Sequence, residues 1–344
     1  MSAPCPAPTT KPWASPAGRL VLAASAPRAA WLAARRTGLG ASEASAILGL
    51  VSKYSSPYEV WAEKLGLIAS QPDNESMEMG RLLEPIVADR WSARSGIRLR
   101  KAGLMRSRAN PWQMASVDRL AECGGLVEIK TLSWRVADQW DDGQTPDHAE
   151  AQSQQQMAVT GRSHTHVVGL LDGRTMMERL VPRNDGLIED LTGIERTFWH
   201  DYVLTGVEPP IDGSDATTDA LNSRWGAMVE KETVLPGQSI ALIEARAELA
   251  AQVAELNTRK AEVENHLRQL MGENTVGTLP GIDDKKVTYR RNGTLRSKQL
   301  AEELPDLVEE LTHPIPAFDL DALKRDHPDV YAKYRSRTLR LPTL

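Results

Sequence analysis

The sequence predicts a mixed α/β (α+β) domain followed by a helical, heptad-patterned extension. Three observations predict it. Residues 41–96 place apolar residues at helical spacing between recognisable caps. Residues 97–182 then change period, with short apolar runs separated by Asn-Pro, Gly-Gly and Asp-Gly turns and interrupted by one helical stretch. Residues 239–271 are again helix formers, with Leu242, Leu249, Leu256, Val263 and Leu270 recurring at every seventh position.

Residues 1–28 are rich in Ala and Pro, with no acid before Glu43. They read as a disordered leader in preference to a transit peptide. ASEASAILGL (41–50) predicts a short helix. SPYEVWAEKLGL (56–67) predicts another, with Ser56 as cap and Pro57 in the first turn. A longer helix over 74–96 is capped by Asn74 and ended by Gly96; Met79, Leu82, Leu83, Ile86, Val87 and Trp91 are spaced for one apolar face. Strands are predicted over 97–107, 113–121, 125–132, 165–172 and 176–182, with helices over 147–160 and 185–204. Helices on a small mixed sheet make one domain over 29–208. GVEPPIDGSDATTDAL leads into a linker-like segment, 209–238, and residues 239–344 form a C-terminal extension with a small basic α/β tail. Val253 and Leu267 strengthen the leucine seam, whereas Arg246 and Lys260 interrupt it. The pattern fits either a coiled coil of about four heptads or a long amphipathic helix on its own domain.

Composition narrows the function. The 344-residue chain is 41% hydrophobic and 25% charged, with a formal net charge of −5. Any nucleic-acid affinity must therefore come from a local patch. The basic stretches 98–108 and 285–298 suit a phosphate backbone or a solvated strand face equally. Two distant cysteines, Cys5 and Cys123, exclude a disulfide framework and a four-cysteine metal site, and they suit a reducing, cytoplasmic setting. No stretch approaches the roughly 18 consecutive apolar residues of a spanning helix, so no membrane is expected. The seven histidines show no ligand spacing. Trp61, Trp91 and Trp199 suit core packing, whereas Trp134 and Trp140, in the loop after residue 132, have the better claim to touch a nucleic acid.

The stretch with chemistry in it is SVDRLAECGGLVEIK (116–130). Residues two apart on a strand share a face, so Leu126, Glu128 and Lys130 point one way and Val127 and Ile129 the other. Asp118 joins the Glu128 face only if the hairpin loop has an odd length, such as Cys123-Gly124-Gly125, or contains a bulge. Two adjacent carboxylates repel unless they share a proton or a cation, and hard oxygen ligands suit Mg²⁺ or Mn²⁺. A salt-bridged surface hairpin is the alternative. Glu84 lies in the preceding helix. In the following one, Gln152 and Gln156 are four apart and share a face, with Gln154 nearby.

GRLLEP, SVD, LVEIK and QSQQQMAVTG, in that order and spacing, together with RRTGLGASEASAILG (35–49), resemble the YqaJ-type viral recombinases. These are relatives of bacteriophage lambda exonuclease within the PD-(D/E)XK nuclease superfamily. The resemblance covers roughly residues 31–205. It implies a restriction-endonuclease-like core, with Asp118, Glu128, the Ile129 carbonyl and Glu84 binding Mg²⁺, or Mn²⁺ in its place. Glu84, Asp118, Glu128, Lys130, Gln152 and Gln154 become the catalytic set, with Lys130 positioning the attacking water. Arg35, Ser42 and Ser116 would hold a 5′ phosphate, although Arg36 adjoins Arg35. Ala149, with His148 beside it, stands where relatives carry a Tyr. The implied activity is two-metal hydrolysis of duplex DNA from 5′ ends. Double-stranded DNA ends, a single-strand annealing protein and a ring-shaped homotrimer are the implied partners and assembly, in a phage or prophage setting within bacterial cytoplasm. A catalytically weak end-binding module, a structure-specific endonuclease and a scaffold acting through the coiled coil are the competing functions.

Overall fold

The computed structural model describes residues 11–51, 53–70, 73–226, 232–290, 300, 302–311, 318 and 320–333. It divides into two compact units, Met1–Met228 and Val229–Leu344. The first ten residues of the expected leader, part of the basic stretch ending at 298, and residues 334–344 lie outside the described residues.

The first unit is built on two sheets. Strands β1 (Gly18–Leu22), β4 (Leu104–Ser107), β5 (Gln113–Ser116) and β2 (Leu39–Gly40) form one, in the order β1-β4-β5-β2. Strands β3 (Leu99–Lys101), β6 (Arg119–Ala121), β7 (Leu126–Leu132), β8 (His164–Leu171) and β9 (Thr175–Pro182) form the other, in that spatial order. Only β7 and β8 in this second sheet are parallel. The crossover joining them contains helix α5 (Asp147–Thr160), as a parallel connection requires.

Two expected strands prove to be parts of one bent ribbon. Residues 97–107 divide into β3 and β4, and residues 113–121 into β5 and β6. Leu99 pairs with Ala121 in one sheet and Leu104 with Ser116 in the other, so the register is unbroken across the bend. The ribbon changes sheets at Ala102-Gly103 and Val117-Asp118, a corner of the kind by which strands pass between sheets. Gly103 admits β1 here: a Cβ on it would come 1.9 Å from the Leu22 carbonyl oxygen. Residues 18–22 are therefore a sheet strand, which corrects the expectation of a leader disordered through residue 28.

Helix α4 (Glu75–Ser95) covers one face of the five-stranded sheet, packing Val87 and Trp91 on Val127 and Val168. Its N-terminal half departs from the expected apolar face: Met79, Leu82 and Ile86 are exposed. Helix α5 covers the opposite face, where Leu126, Met157, Val159 and Val167 join one core. Trp140 is buried there, not offered to a ligand, whereas Trp134 is exposed. Trp61 and Trp199 share a further core with Tyr58.

Helices α1 (Arg28–Arg35), α2 (Ala41–Ile47) and α3 (Pro57–Lys64) precede α4, and α6 (Asp185–Thr197) continues into a π-helical turn over Phe198–Val203. The Ser56 and Asn74 side chains cap α3 and α4 as expected, accepting from Glu59 and Met77 N–H. The expected linker contains α7 (Asp215–Arg224), whose Thr217 hydroxyl donates to Ser56 Oγ at 2.8 Å, so this part packs on α3.

In the second unit, α8 (Gln238–Met271) is one uninterrupted helix. Strands β10 (Val276–Leu279) and β11 (Ile282–Thr288) form an antiparallel hairpin, followed by short helices over Pro305–Leu311, Leu320–Asp326 and Pro328–Lys333. Mixed sheets flanked by helices, with a helical extension, are consistent with a PD-(D/E)XK-like core. Among the described residues, no helix is long and apolar enough to cross a membrane.

Candidate active site

The β6–β7 hairpin pairs Arg119 with Val127 and Leu120 with Leu126. One step further, the same register sets Asp118 opposite Glu128. The loop is odd, but it is Glu122-Cys123-Gly124, one residue earlier than expected: Ala121 N–H donates to the Gly125 carbonyl, and Gly124 supplies a φ of 92°. Asp118 Oδ2 accepts the Ile129 N–H at 2.7 Å, so the ribbon corner is tied to the strand carrying the other candidates.

Glu128 is buried, and both carboxylate oxygens are committed. Oε1 lies 2.7 Å from Lys130 Nζ and accepts Gln152 Nε2 at 2.7 Å; Oε2 accepts Gln156 Nε2 at 2.7 Å. Lys130 Nζ donates to Gln152 Oε1 at 2.7 Å, closing the network, and Gln156 Nε2 also reaches the Ser116 carbonyl at 3.2 Å. The crossover explains the arrangement: residues four apart on α5 lie over the β7 face that carries Glu128. Gln154 points elsewhere. It donates to the Pro182 carbonyl and accepts the Asn184 N–H, holding the end of β9, whereas Gln156 reaches Glu128.

Burial raises the Asp118 pKa well above the usual carboxylate range, and the neighbouring Glu128 and Glu84 charges push it the same way. The Ile129 N–H and Lys130 only partly oppose this. Burial works against the Lys130 ammonium, but Glu128 and Asp118 outweigh it and the pKa is raised. Arg119, absent from the sequence-derived set, pairs with Glu84 and donates to the Asp118 carbonyl at 2.7 Å. Glu84, Asp118, Glu128, Ile129 and Lys130 line a cleft of about 770 Å³. An all-oxygen donor set, with a carboxyl whose pKa is raised by burial and by the neighbouring carboxylates, fits a hard divalent cation, which would offset those charges.

Ser42 and Ser116 line the same cleft. Arg35 Nη2 donates to Ser42 Oγ at 3.3 Å. Trp31 joins this pair to the second serine: its Nε1 donates to Ser116 Oγ at 2.9 Å, and the Arg35 guanidinium lies 4.8 Å from its ring centre. Arg36 is exposed at the end of α1, leaving Arg35 as the arginine of the group. Buried Glu43 pairs with Arg35 at 2.6 Å and with Lys64 at 2.7 Å. Burial pushes the Glu43 pKa up, yet Arg35, Lys64 and the Gly40 N–H bring it below normal, so it remains an anion that anchors Arg35. No spacing in the sequence singled out Trp31 or Glu43.

A second cluster corrects the reading that the histidines lack ligand spacing. Cys123, His164 and His166 bring potential ligand atoms within 4.8 Å of one another, because His164 and His166 share a face of β8 beside the hairpin loop. Cys123 is disulfide-bonded, which the reading of its two cysteines did not anticipate, so its sulfur is already committed.

Residues 30–163 match the YqaJ-like viral recombinase domain. The chain is 30% identical over 289 residues to the uncharacterized YqaJ protein of Bacillus subtilis (strain 168), an alignment covering 82% of this chain and 89% of that protein. An alkaline exonuclease (LHK-Exo) from Laribacter hongkongensis aligns at 25% identity with a TM-score of 0.45, over 52% of this chain and 94% of its own. A phage-related exonuclease from Haemophilus somnus 129PT aligns at 13% identity with a TM-score of 0.37, over 49% and 96% respectively.

Proposed function

Because this chain belongs to the YqaJ-like viral recombinase family, we propose that it is a divalent-cation-dependent deoxyribonuclease acting at duplex DNA ends. In this reading it digests one strand from the 5′ end by two-metal phosphodiester hydrolysis and exposes single strands for an annealing protein. The observation that carries the proposal is the convergence of Asp118, Glu128 and Lys130 at the wall of one cleft, with Ser42 and Ser116 in the same wall.

Asp118, Glu128, the Ile129 carbonyl and Glu84 would hold Mg²⁺ or Mn²⁺, which would lower the pKa of a bound water and offset charge on the phosphoryl oxygens. Gln152 and Gln156 fix the Glu128 carboxylate from the helix side. The Lys130 ammonium, kept protonated by its acidic neighbours, orients the water and stabilises charge developing on the phosphate. Arg35, Ser42 and Ser116 receive the terminal phosphate, with Trp31 setting their spacing.

The test uses purified protein, Mg²⁺ and linear duplexes labelled at either end, with covalently closed circles as control. Loss of the 5′-ended strand from linear DNA, with circles intact, is the expected result. Cutting of circles at a comparable rate would replace this reading with an endonuclease; end binding without cleavage would replace it with a binding module.

A further inference from the structure

Helix α8 turns its heptad seam to solvent. Leu242, Leu249, Leu256, Val263 and Leu270 are between 59% and 82% exposed, and Val253 and Leu267 beside them are 56% and 43% exposed. Among the described side chains of α8, only Met271 is buried. A stripe repeating every seven residues winds slowly around a straight helix, and a second helix supercoiled with it covers such a stripe along its length.

We propose that α8 pairs with α8 of a second copy of this chain, antiparallel, with position 246 of each facing position 263 of the other. The charges choose both occupant and direction. With the Leu242–Leu270 series at the d positions, Arg246, Val253, Lys260 and Leu267 occupy the a positions. A parallel, in-register pair sets a against a, so Arg246 would face Arg246 and Lys260 would face Lys260 inside the seam, where like charges are costly. An antiparallel pair sets a against d. Arg246 then faces Val263 of the second copy, Lys260 faces Leu249, Val253 faces Leu256 and Leu267 faces Leu242. No like charges share a layer, and Arg246 and Lys260 of opposite copies, one layer apart, both lie beside Glu264.

Flanking positions agree. An a residue leans toward the e side of its helix, and antiparallel helices place e beside e. The e position next to Val263 is Glu264, so Arg246 of one copy meets Glu264 of the other. Glu264 already holds Arg268 at 3.0 Å and Lys260 at 3.8 Å within its own helix, and both are exposed pairs that leave it an accessible carboxylate. This pairing is independent of the nuclease reading: it needs only α8 and a second copy.

Sedimentation equilibrium of the full chain tests it. Leu249→Glu with Leu256→Glu is expected to halve the assembly mass. Arg246→Leu, which replaces a seam charge with an apolar side chain, is expected to tighten association and cannot do so by unfolding the helix. For direction, Arg246→Glu and Glu264→Lys should each raise the dissociation constant about three- to tenfold, and the combination should restore it to within about twofold of the parent. In a parallel pair those positions lie roughly 27 Å apart along the axis, and the combination would add the two losses. A parent with no association at tens of micromolar, an assembly unchanged by the leucine substitutions, a mass that does not halve, or failure of the charge swap to restore binding would each overturn the proposal.

Discussion

The Ile129 N–H donates to Asp118 Oδ2 at 2.7 Å, joining the corner of a ribbon shared by two sheets to the strand that carries Glu128 and Lys130. Asp118 is thereby fixed in place while its carboxyl stays protonated above the usual range, through burial and the charges of Glu128 and Glu84. A cation held there as proposed would compete with that proton. Apparent Mg²⁺ affinity is therefore expected to rise with pH until the raised Asp118 pKa is passed, and the proton released on binding should disappear above it. Calorimetric titration in buffers of different ionisation enthalpy measures both. Pairing that runs equally well across the whole pH range would remove Asp118 from the ligand set.

The acids and the lysine should fail differently. Asp118→Ala or Glu128→Ala is expected to weaken Mg²⁺ binding and abolish cleavage together. Lys130→Ala keeps both carboxylates and should retain the cation while losing about a hundredfold or more in rate, the range for removing one preorganised charge-stabilising donor. Single-turnover cleavage beside metal titration separates the two. Normal cleavage by Lys130→Ala would reduce the hairpin to a salt-bridged structural element.

Two glutamines on one helix give a sharper contrast. Gln156 Nε2 holds Glu128 at 2.7 Å, whereas the Gln154 amide bonds the Pro182 carbonyl and the Asn184 N–H. Gln156→Leu should cost about 10–100-fold in metal affinity or activity, as loss of a residue that orients a ligand does. Gln154→Leu should lower unfolding stability by about 1–3 kcal/mol, the cost of stranding buried backbone groups, with the turnover of the folded enzyme retained. Thermal unfolding and turnover, measured on the same preparations, decide between the roles.

Trp31→Phe keeps an aromatic ring near Arg35 and removes the N–H that reaches Ser116 Oγ at 2.9 Å. Preference for 5′-phosphorylated over 5′-hydroxyl ends is expected to fall about three- to tenfold, the worth of one neutral hydrogen bond. Equal loss on both kinds of end would place Trp31 in general packing.

Glu195 is buried with a pKa raised to about 8: burial dominates, Gln113 opposes it and Glu43 adds to it. The Gln113 amide reaches Glu195 Oε2 at 2.7 Å, and Oε1 has no hydrogen-bond partner among the described residues. The folded state holds a proton that the unfolded chain releases near 4.5, so this group's contribution to stability is fully present below about 4.5 and is lost as pH rises toward about 8. Glu195→Gln removes the penalty. Its melting temperature relative to the parent should climb across that window and level off above it. A difference independent of pH would show that Glu195 does not carry this titration.

Much of the site was legible because its signals are local. Alternation on one strand placed Glu128 and Lys130 on a common face, and the four-residue spacing of Gln152 and Gln156 predicted that they share a side of their helix. An odd hairpin loop was enough to bring Asp118 to the same face. Which neighbour each group meets was not local. Gln154 and Gln156 differ by only two positions, but the crossover of α5 over β7 sends one to the end of β9 and the other to Glu128. The bend at Val117-Asp118 was hidden because a strand that changes sheets keeps the same alternation and register on both sides. Trp31 and Glu43 carry no motif, and their partners lie on other elements. By itself the sequence determined the elements and the faces of their side chains, through periodicity, caps and turns, which depend on residues a few positions apart. Only the tertiary structure decided the junction of two sheets at Asp118, the different partners of Gln154 and Gln156 and the joining of Arg35 to Ser116 through Trp31, because long-range packing sets those distances.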